Sequence, residues 1–160
     1  MKKIITHSEK QTLNLGKKIA KKLLACHAES ASWQRRRSGE VLALNGELGS
    51  GKTVLIKGIA AGLGIKKHIT SPTFVVMKLY KIQNPKSEIQ NLLHIDAYRL
   101  NSGQDLVNIG VKDWLAKPNT VTVIEWAERV KNILPKDTIT IKLKLRKNKN
   151  ERTITVNNNL

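Results

Sequence analysis

The segment GELGSGKT (46–53) limits the possible folds of this chain more than any other. It follows the apolar run VLALN (41–45), and the residues from 51 to 63 have the apolar spacing of a helix. Its letters complete the pattern G-x-x-x-x-G-K-[ST], a glycine-rich loop between a buried strand and a helix N-terminus. The N–H groups of such a loop and the positive end of the helix bind phosphate oxygens. The sequence therefore predicts an α/β fold with a P-loop.

The loop residues have separate predicted roles. Lys52 is expected to reach the β- and γ-phosphates of a nucleotide, and the hydroxyl of Thr53 is expected to bind Mg²⁺. A guanine-specific N-K-x-D after a strand is missing, since NKNE (148–151) lies in a turn between two alternating strands. This favours ATP over GTP. The loop residues predicted to contact the nucleotide are Gly46, Leu48, Gly49, Ser50, Gly51, Lys52 and Thr53.

The remaining pattern predicts one domain over residues 1–160, a P-loop NTPase-like mixed sheet flanked by helices, with β-hairpins. Ser8 and Gln11 have the spacing of a capping box at the start of a helix. Two hairpins are expected, one at the C-terminus, because alternating strands flank polar turns. The predicted strands are 41–45, 73–80, 89–96, 120–126, TITIKLKLR and RTITV; the other predicted helices are 51–63, one or two within 102–116, and 127–133.

Two carboxylates end predicted strands and are candidates for Mg²⁺ binding or for orienting water. Asp96 ends LLHID and Glu125 ends VTVIE. A P-loop needs such an acid beside it, and the residues alone leave open which acid has which role. His94 shares a strand face with Asp96, but the chain lacks further ligands at zinc spacing.

The charge is strongly basic, with 29 Lys and Arg against 12 Asp and Glu, for a net +17. Such a surface attracts nucleic acid, although a solvated surface is the preferred interpretation because no RNA-binding motif accompanies the charge. The same interpretation holds for Arg35–Arg37, and Trp33 and Trp114 are expected to pack rather than stack on a ligand. No apolar run has the length of a membrane span. The single cysteine, Cys26, suits a reducing cytoplasm, so we expect a cytoplasmic protein.

With these motifs in order, the chain resembles the TsaE family, the small ATPases of bacterial tRNA threonylcarbamoyladenosine synthesis. The resemblance depends on GELGSGKT (46–53), SPTF (71–74), HIDAYRL (94–100) and IEW (124–126), and SEKQTLNLGKKIA (8–20) looks like the family's first helix. It implies a Mg²⁺-dependent ATPase that supports turnover of TsaD and TsaB. Because the sequence offers no evident arginine finger of its own, we expect hydrolysis to be slow alone and to depend on these partners. These partners transfer a threonylcarbamoyl group to adenosine 37 of tRNA.

The resemblance also implies roles for individual residues. Thr53 and Glu125 would hold Mg²⁺, Asp96 would act in hydrolysis, and Ser71, Pro72, Thr73 and Phe74 would form a mobile switch. Trp126 would lie at the nucleotide or partner surface, while Glu9, Thr12 and Arg152 would surround the adenine. Contact with tRNA would be indirect or weak, through the basic surface.

Two other functions compete with the ATPase. One is a P-loop kinase of a small metabolite, but the sequence has no lid-like insertion with an arginine. The other is a basic nucleic-acid-binding module in which the P-loop is regulatory.

Overall fold

The computed structural model describes residues 2–29, 39–83, 87–115 and 117–157, and only the backbone at 27–29. They form a seven-stranded mixed sheet in the order β1-β7-β6-β2-β5-β4-β3. The strands are β1 (Lys2–Thr6), β2 (Glu40–Asn45), β3 (Met77–Lys81), β4 (Asn91–Asp96), β5 (Thr120–Glu125), β6 (Ile139–Leu145) and β7 (Arg152–Val156). The α-helices are α1 (Glu9–Glu29), α2 (Lys52–Gly62) and α3 (Gly103–Asn108).

The centre of the sheet is parallel and its margins are antiparallel. β2 pairs in parallel with β5 and β6, and β5 pairs in parallel with β4. The β3–β4 and β6–β7 pairs are antiparallel, as is β1 with β7. The predicted α/β class, mixed sheet and both hairpin pairings are therefore confirmed.

Helices α1 and α2 cover one face of the sheet together. Gly16 and Gly58 face each other across the helix pair, and a Cβ at either would overlap backbone of the other helix: the Leu55 carbonyl for Gly16 and the Leu13 carbonyl for Gly58. Backbones this close require glycine. The apolar cluster beneath the helices includes Leu23, Leu55, Ile59 and side chains of β2, β4, β5, β6 and β7. This packing fixes the start of α2 over the sheet.

On the opposite face, the described residues form an apolar cluster over β2, β4 and β5, and Met77 of β3 packs against it. The cluster consists of side chains from β2, β4 and β5 and from the segments that follow β4 and β5, among them Leu106 and Val130. Trp114 packs against this cluster, as expected, and Lys117 lies over its ring at 4.0 Å. Among the described helices, none has the length and apolar character to cross a membrane.

Several predicted elements differ from those observed. β1 was not predicted. The predicted strand 73–80 begins only at Met77, because the amides of Val75 and Val76 donate to the Pro72 carbonyl and form a turn. The predicted helix 127–133 consists of two 3₁₀ turns, Ala127–Arg129 and Lys131–Ile133. Trp33 and Arg35–Arg37 lie outside the described residues.

Candidate nucleotide site at the ends of the parallel strands

The P-loop runs from the end of β2 into the first turn of α2. Gly46, Gly49 and Gly51 all have positive φ, at 151°, 76° and 96°, where residues with a Cβ are strained. A Cβ on Gly46 would also overlap the Leu143 carbonyl of β6. The loop therefore follows a path that glycine permits, and it places the start of α2 at the carboxyl edge of the sheet.

Lys52 fills the loop in this structure. Its Nζ donates to the carbonyl oxygens of Gly46 at 2.7 Å and Glu47 at 2.9 Å, and lies 3.8 Å from the centre of the Trp126 ring. Burial lowers the pKa of the Lys52 ammonium, an effect that the negative charges of Glu125, Glu128 and Asp96 oppose. A buried cation with only neutral hydrogen-bond acceptors is poised to exchange them for an anion.

Thr53 and Glu125 meet at the floor of the site. The Thr53 hydroxyl donates to both carboxylate oxygens of Glu125, at 3.0 and 3.2 Å. His94, which is fully buried, places Nε2 at 2.9 Å from Glu125 Oε1. A carboxylate offers only acceptors, so Nε2 carries the proton in this bond. Glu125 is thus oriented from two sides.

The opposite wall is made by Asp96 and the segment before β3. Asp96 Oδ2 accepts hydrogen bonds from the hydroxyls of Ser71 and Thr73, the latter at 2.6 Å. Its Oδ1 accepts the backbone N–H of Tyr98 at 3.0 Å. In register, Asp96 is paired with Glu125 on the neighbouring strand. Both strand-end acids therefore line one pocket, and each has its own hydroxyl partners.

The turn at 72–76 contains a backbone conformation that β-branched residues rarely adopt. Val76 has φ of 65°, and its carbonyl accepts the N–H of Asp96 at 2.9 Å. Left-handed backbone at such a residue stores about 1–3 kcal/mol, which the surrounding contacts must offset. The segment 71–76 is therefore held against Asp96 under strain.

These groups surround one open pocket of about 460 Å³. Arg152 reaches it from β7, where its Nε is buried with no hydrogen-bond partner among the described residues and its Nη1 donates to Asn150 O at 2.8 Å. Ser50 Oγ is likewise buried and unpartnered. Orphaned buried donors are costly, and both lie in or beside the P-loop. The lining residues are Leu48, Gly49, Gly51, Lys52, Thr53, Val54, Ser71, Thr73, Asp96, Tyr98, Glu125, Trp126 and Arg152.

The other predicted site residues lie around this pocket at different distances. Thr12 is buried and bonds Thr6 and the Ser8 carbonyl, with its methyl group near Gly51. Glu9 is exposed on the first turn of α1, outside the pocket lining. Pro72 is buried behind the pocket, whereas Phe74 is 84% exposed, with the Arg99 guanidinium 4.6 Å from its ring centre.

Sequence reasoning missed two contributors. His94 was noted only for sharing a face with Asp96, and its bond to Glu125 depends on the pairing of β4 with β5. Tyr98 lines the pocket, and its ring packs at a tilt of 51° against that of Trp126, with 5.0 Å between the ring centres. Its position two residues after the strand-end acid Asp96 was the available signal.

The residues present fit the ligands that the motif implies. A hydroxyl and a carboxylate within 3.0 Å of each other are the oxygen ligands that Mg²⁺ prefers. Lys52, the positive-φ loop and the orphaned donors of Ser50 and Arg152 suit phosphate oxygens. Within the described residues, no group of three or more His, Cys, Asp or Glu side chains offers a separate metal site.

The fold and this site define a protein of the P-loop type. The family model described as "Threonylcarbamoyl adenosine biosynthesis protein TsaE" matches residues 6–154. The chain therefore belongs to the TsaE family, as its motifs suggested.

Individual relatives agree with this placement. Two proteins named "tRNA threonylcarbamoyladenosine biosynthesis protein TsaE" are similar to it. The one from Treponema pallidum is 44% identical over 64% of this chain and 71% of its own, and the one from Haemophilus influenzae is 33% identical over 81% and 73%. The crystal structure of Bacillus subtilis YdiB has a TM-score of 0.70 at 28% identity, covering 97% of this chain and 83% of that one.

Proposed function

We propose that this protein binds and hydrolyses ATP with Mg²⁺ as a subunit of tRNA threonylcarbamoyladenosine synthesis, where it supports turnover of TsaD and TsaB. The observation that carries the proposal is a single pocket in which a P-loop lysine, the Thr53–Glu125 pair and Asp96 converge. Membership of the TsaE family supports the pathway.

Nucleotide binding begins with an exchange at Lys52. Phosphate oxygens take the place of the Gly46 and Glu47 carbonyls as acceptors for Nζ. A phosphate oxygen carries negative charge and a carbonyl oxygen does not, so the exchange adds Coulombic attraction to the Lys52 ammonium in a partly buried site. The loop amides and the N-terminus of α2 add donors for the same phosphates.

Thr53 and Glu125 would hold Mg²⁺, whose charge would neutralise the phosphates during hydrolysis. His94 acts through Glu125 as a positioning residue, because its Nε2 bond fixes the rotation of the carboxylate. Trp126 lies over Lys52 and packs against Tyr98, so it shapes the wall of the phosphate site.

Asp96 is the proposed group for orienting the attacking water. In this structure Ser71 and Thr73 occupy Oδ2, so Asp96 has that oxygen free for water only after the segment 71–74 moves. A partner could contact the exposed Phe74 ring. Contact there could also release the strained backbone at Val76 and so move the segment. We therefore expect slow hydrolysis alone and a changed rate with TsaD and TsaB.

The test is steady-state phosphate release by the isolated protein, then with TsaD and TsaB at low and moderate salt. We expect little release alone and a partner-dependent change that Lys52→Ala abolishes and Lys66→Ala, an exposed-lysine control, retains. A rate that is high alone and indifferent to partners at every salt concentration would contradict the accessory role. Phosphate transfer to an added metabolite instead of water would indicate the kinase.

A further inference from the structure

At the β1 end of the strand order, one face of the sheet is not covered by any described element. The apolar cluster on the face opposite α1 and α2 contains side chains of β2, β4 and β5. Among the described residues, it contains none from β6, β7 or β1. Over these three strands, that side of the sheet is therefore not covered by any of the residues that the structure describes. We call this surface the open sheet face.

The strand register places a regular set of polar side chains on the open sheet face. One row across the strands is Lys142, Thr155 and Lys3, and the next is Lys144, Thr153 and Ile5. Strand spacing separates Lys142 from Lys3 by about 10 Å, and the two-residue repeat separates Lys142 from Lys144 by about 7 Å. All three lysines are exposed, and the threonines are half-buried between them.

The positive charge of this face is uncompensated. β1, β6 and β7 contain no Asp or Glu. None of the three lysines makes an ion pair with a described residue. At the hairpin tip Arg146 pairs with Glu151 at 3.3 Å, while Lys147 and Lys149 are exposed. Because β6 runs parallel to β2, this tip lies at the same sheet edge as the P-loop.

The composition of the face distinguishes between two kinds of acidic partner. Protein interfaces have apolar and aromatic side chains at their centre, but here Ile5, 41% exposed, is the one large apolar side chain of the two rows. Lysines and hydroxyls at regular spacing are instead the groups that contact phosphates and sugars. The charge and the chemistry of the face both match a phosphodiester backbone.

We propose that the open sheet face binds the backbone of RNA directly, with Lys3, Lys142 and Lys144 contacting phosphates. The choice of tRNA as the RNA rests on the proposed function, but the binding itself needs no nucleotide hydrolysis. The contact is independent of base sequence, since the face carries charges and hydroxyls but no described helix or loop that could contact base edges in a groove.

The experiment measures the anisotropy of a fluorescently labelled, unmodified tRNA transcript titrated with the full chain, without ATP, at several salt concentrations. The variant Lys3→Gln, Lys142→Gln, Lys144→Gln is compared with Lys17→Gln, Lys18→Gln, Lys21→Gln, which removes the same charge from exposed positions on α1. Circular dichroism and thermal melting check that both variants fold.

We expect the sheet-face variant to lose about tenfold or more in affinity and its log–log salt slope to fall by about 2–3. The α1 variant should stay within about threefold of the parent. Equal losses in the two variants, unchanged affinity of the sheet-face variant, or no binding by the parent would each overturn the inference. So would equally tight binding of poly-glutamate through the same three lysines, which would indicate an acidic protein.

Partner-dependent phosphate release, measured on the same proteins without RNA, separates the two proposals. We expect the sheet-face variant to retain it. If the parent shows this release but binds no tRNA, the inference about the face fails while the proposed function stands.

Discussion

Replacing Asp96 with Asn should loosen the segment 71–76 while the domain stays folded. Two hydroxyls, those of Ser71 and Thr73, donate to the same carboxylate oxygen. A hydrogen bond to a charged group contributes about 1.5–3 kcal/mol and a neutral one about 0.5–1.5 kcal/mol. Losing the charge at both bonds therefore costs about 2 kcal/mol, roughly a thirtyfold increase in the local opening equilibrium.

Amide hydrogen exchange at Val75 and Val76 reports this opening, because both N–H groups donate to the Pro72 carbonyl at 2.9 and 2.7 Å. The expected result is about thirtyfold faster exchange at these two amides and little change in α1 or α2. Strain at Val76 adds to the effect, since φ of 65° is maintained only by the closed segment.

Asp105→Asn is the matched control. Asp105 also accepts two hydrogen bonds, from the backbone N–H groups of Asn101 and Ser102, but it caps α3 on the other side of the sheet. It should leave exchange at Val75 and Val76 unchanged. Unchanged exchange in folded Asp96→Asn would refute the idea that this carboxylate holds the segment closed.

Four further outcomes test the site and its support. Lys52→Ala should abolish ATP binding in calorimetry while circular dichroism stays native, and retained affinity would argue against the P-loop. Glu125→Gln should lower the affinity for ATP about tenfold when Mg²⁺ is present and change it little without Mg²⁺. Asp96→Asn should leave the affinity for ATP unchanged. The opposite pattern would mean that the two acids have each other's roles. Burial lowers the pKa of the Lys52 ammonium, and a bound phosphate would raise it. The protein should therefore take up protons when it binds ATP at alkaline pH. The calorimetric heat of binding should then differ between buffers of unequal ionisation enthalpy. Gly58→Ala should lower the free energy of unfolding by about 1–3 kcal/mol in urea titrations, through overlap with the Leu13 carbonyl.

The sequence predicted well where the determinants are local. The P-loop is encoded by glycine positions within eight residues, and each positive φ within the loop falls on one of these glycines. The strand-end position of Asp96 and Glu125 follows from apolar runs that end in an acid. Parallel strands then bring these ends to one edge of the sheet, so the two acids could be placed together before their partners were known.

Prediction failed where pairing between distant segments decides the structure. The strand Lys2–Thr6 has a short, lysine-rich sequence and exists because β7 pairs with it. Thr73–Val76 has strong β propensity, but bonds to Asp96 and Pro72 hold it as a turn. The bond between His94 and Glu125 depends on the parallel alignment of β4 and β5, which no local pattern specifies.

The pairing of β1 with β7 also constrains how the chain folds during synthesis. The first strand has its partner only after Arg152–Val156 leave the ribosome, and translation proceeds at about 5–20 residues per second. Arg152, which lines the pocket beside the P-loop, comes from the same strand. A nascent chain can therefore assemble its parallel strands and the P-loop before β7 emerges, but the pocket is completed only once β7 has been made and has paired with β1.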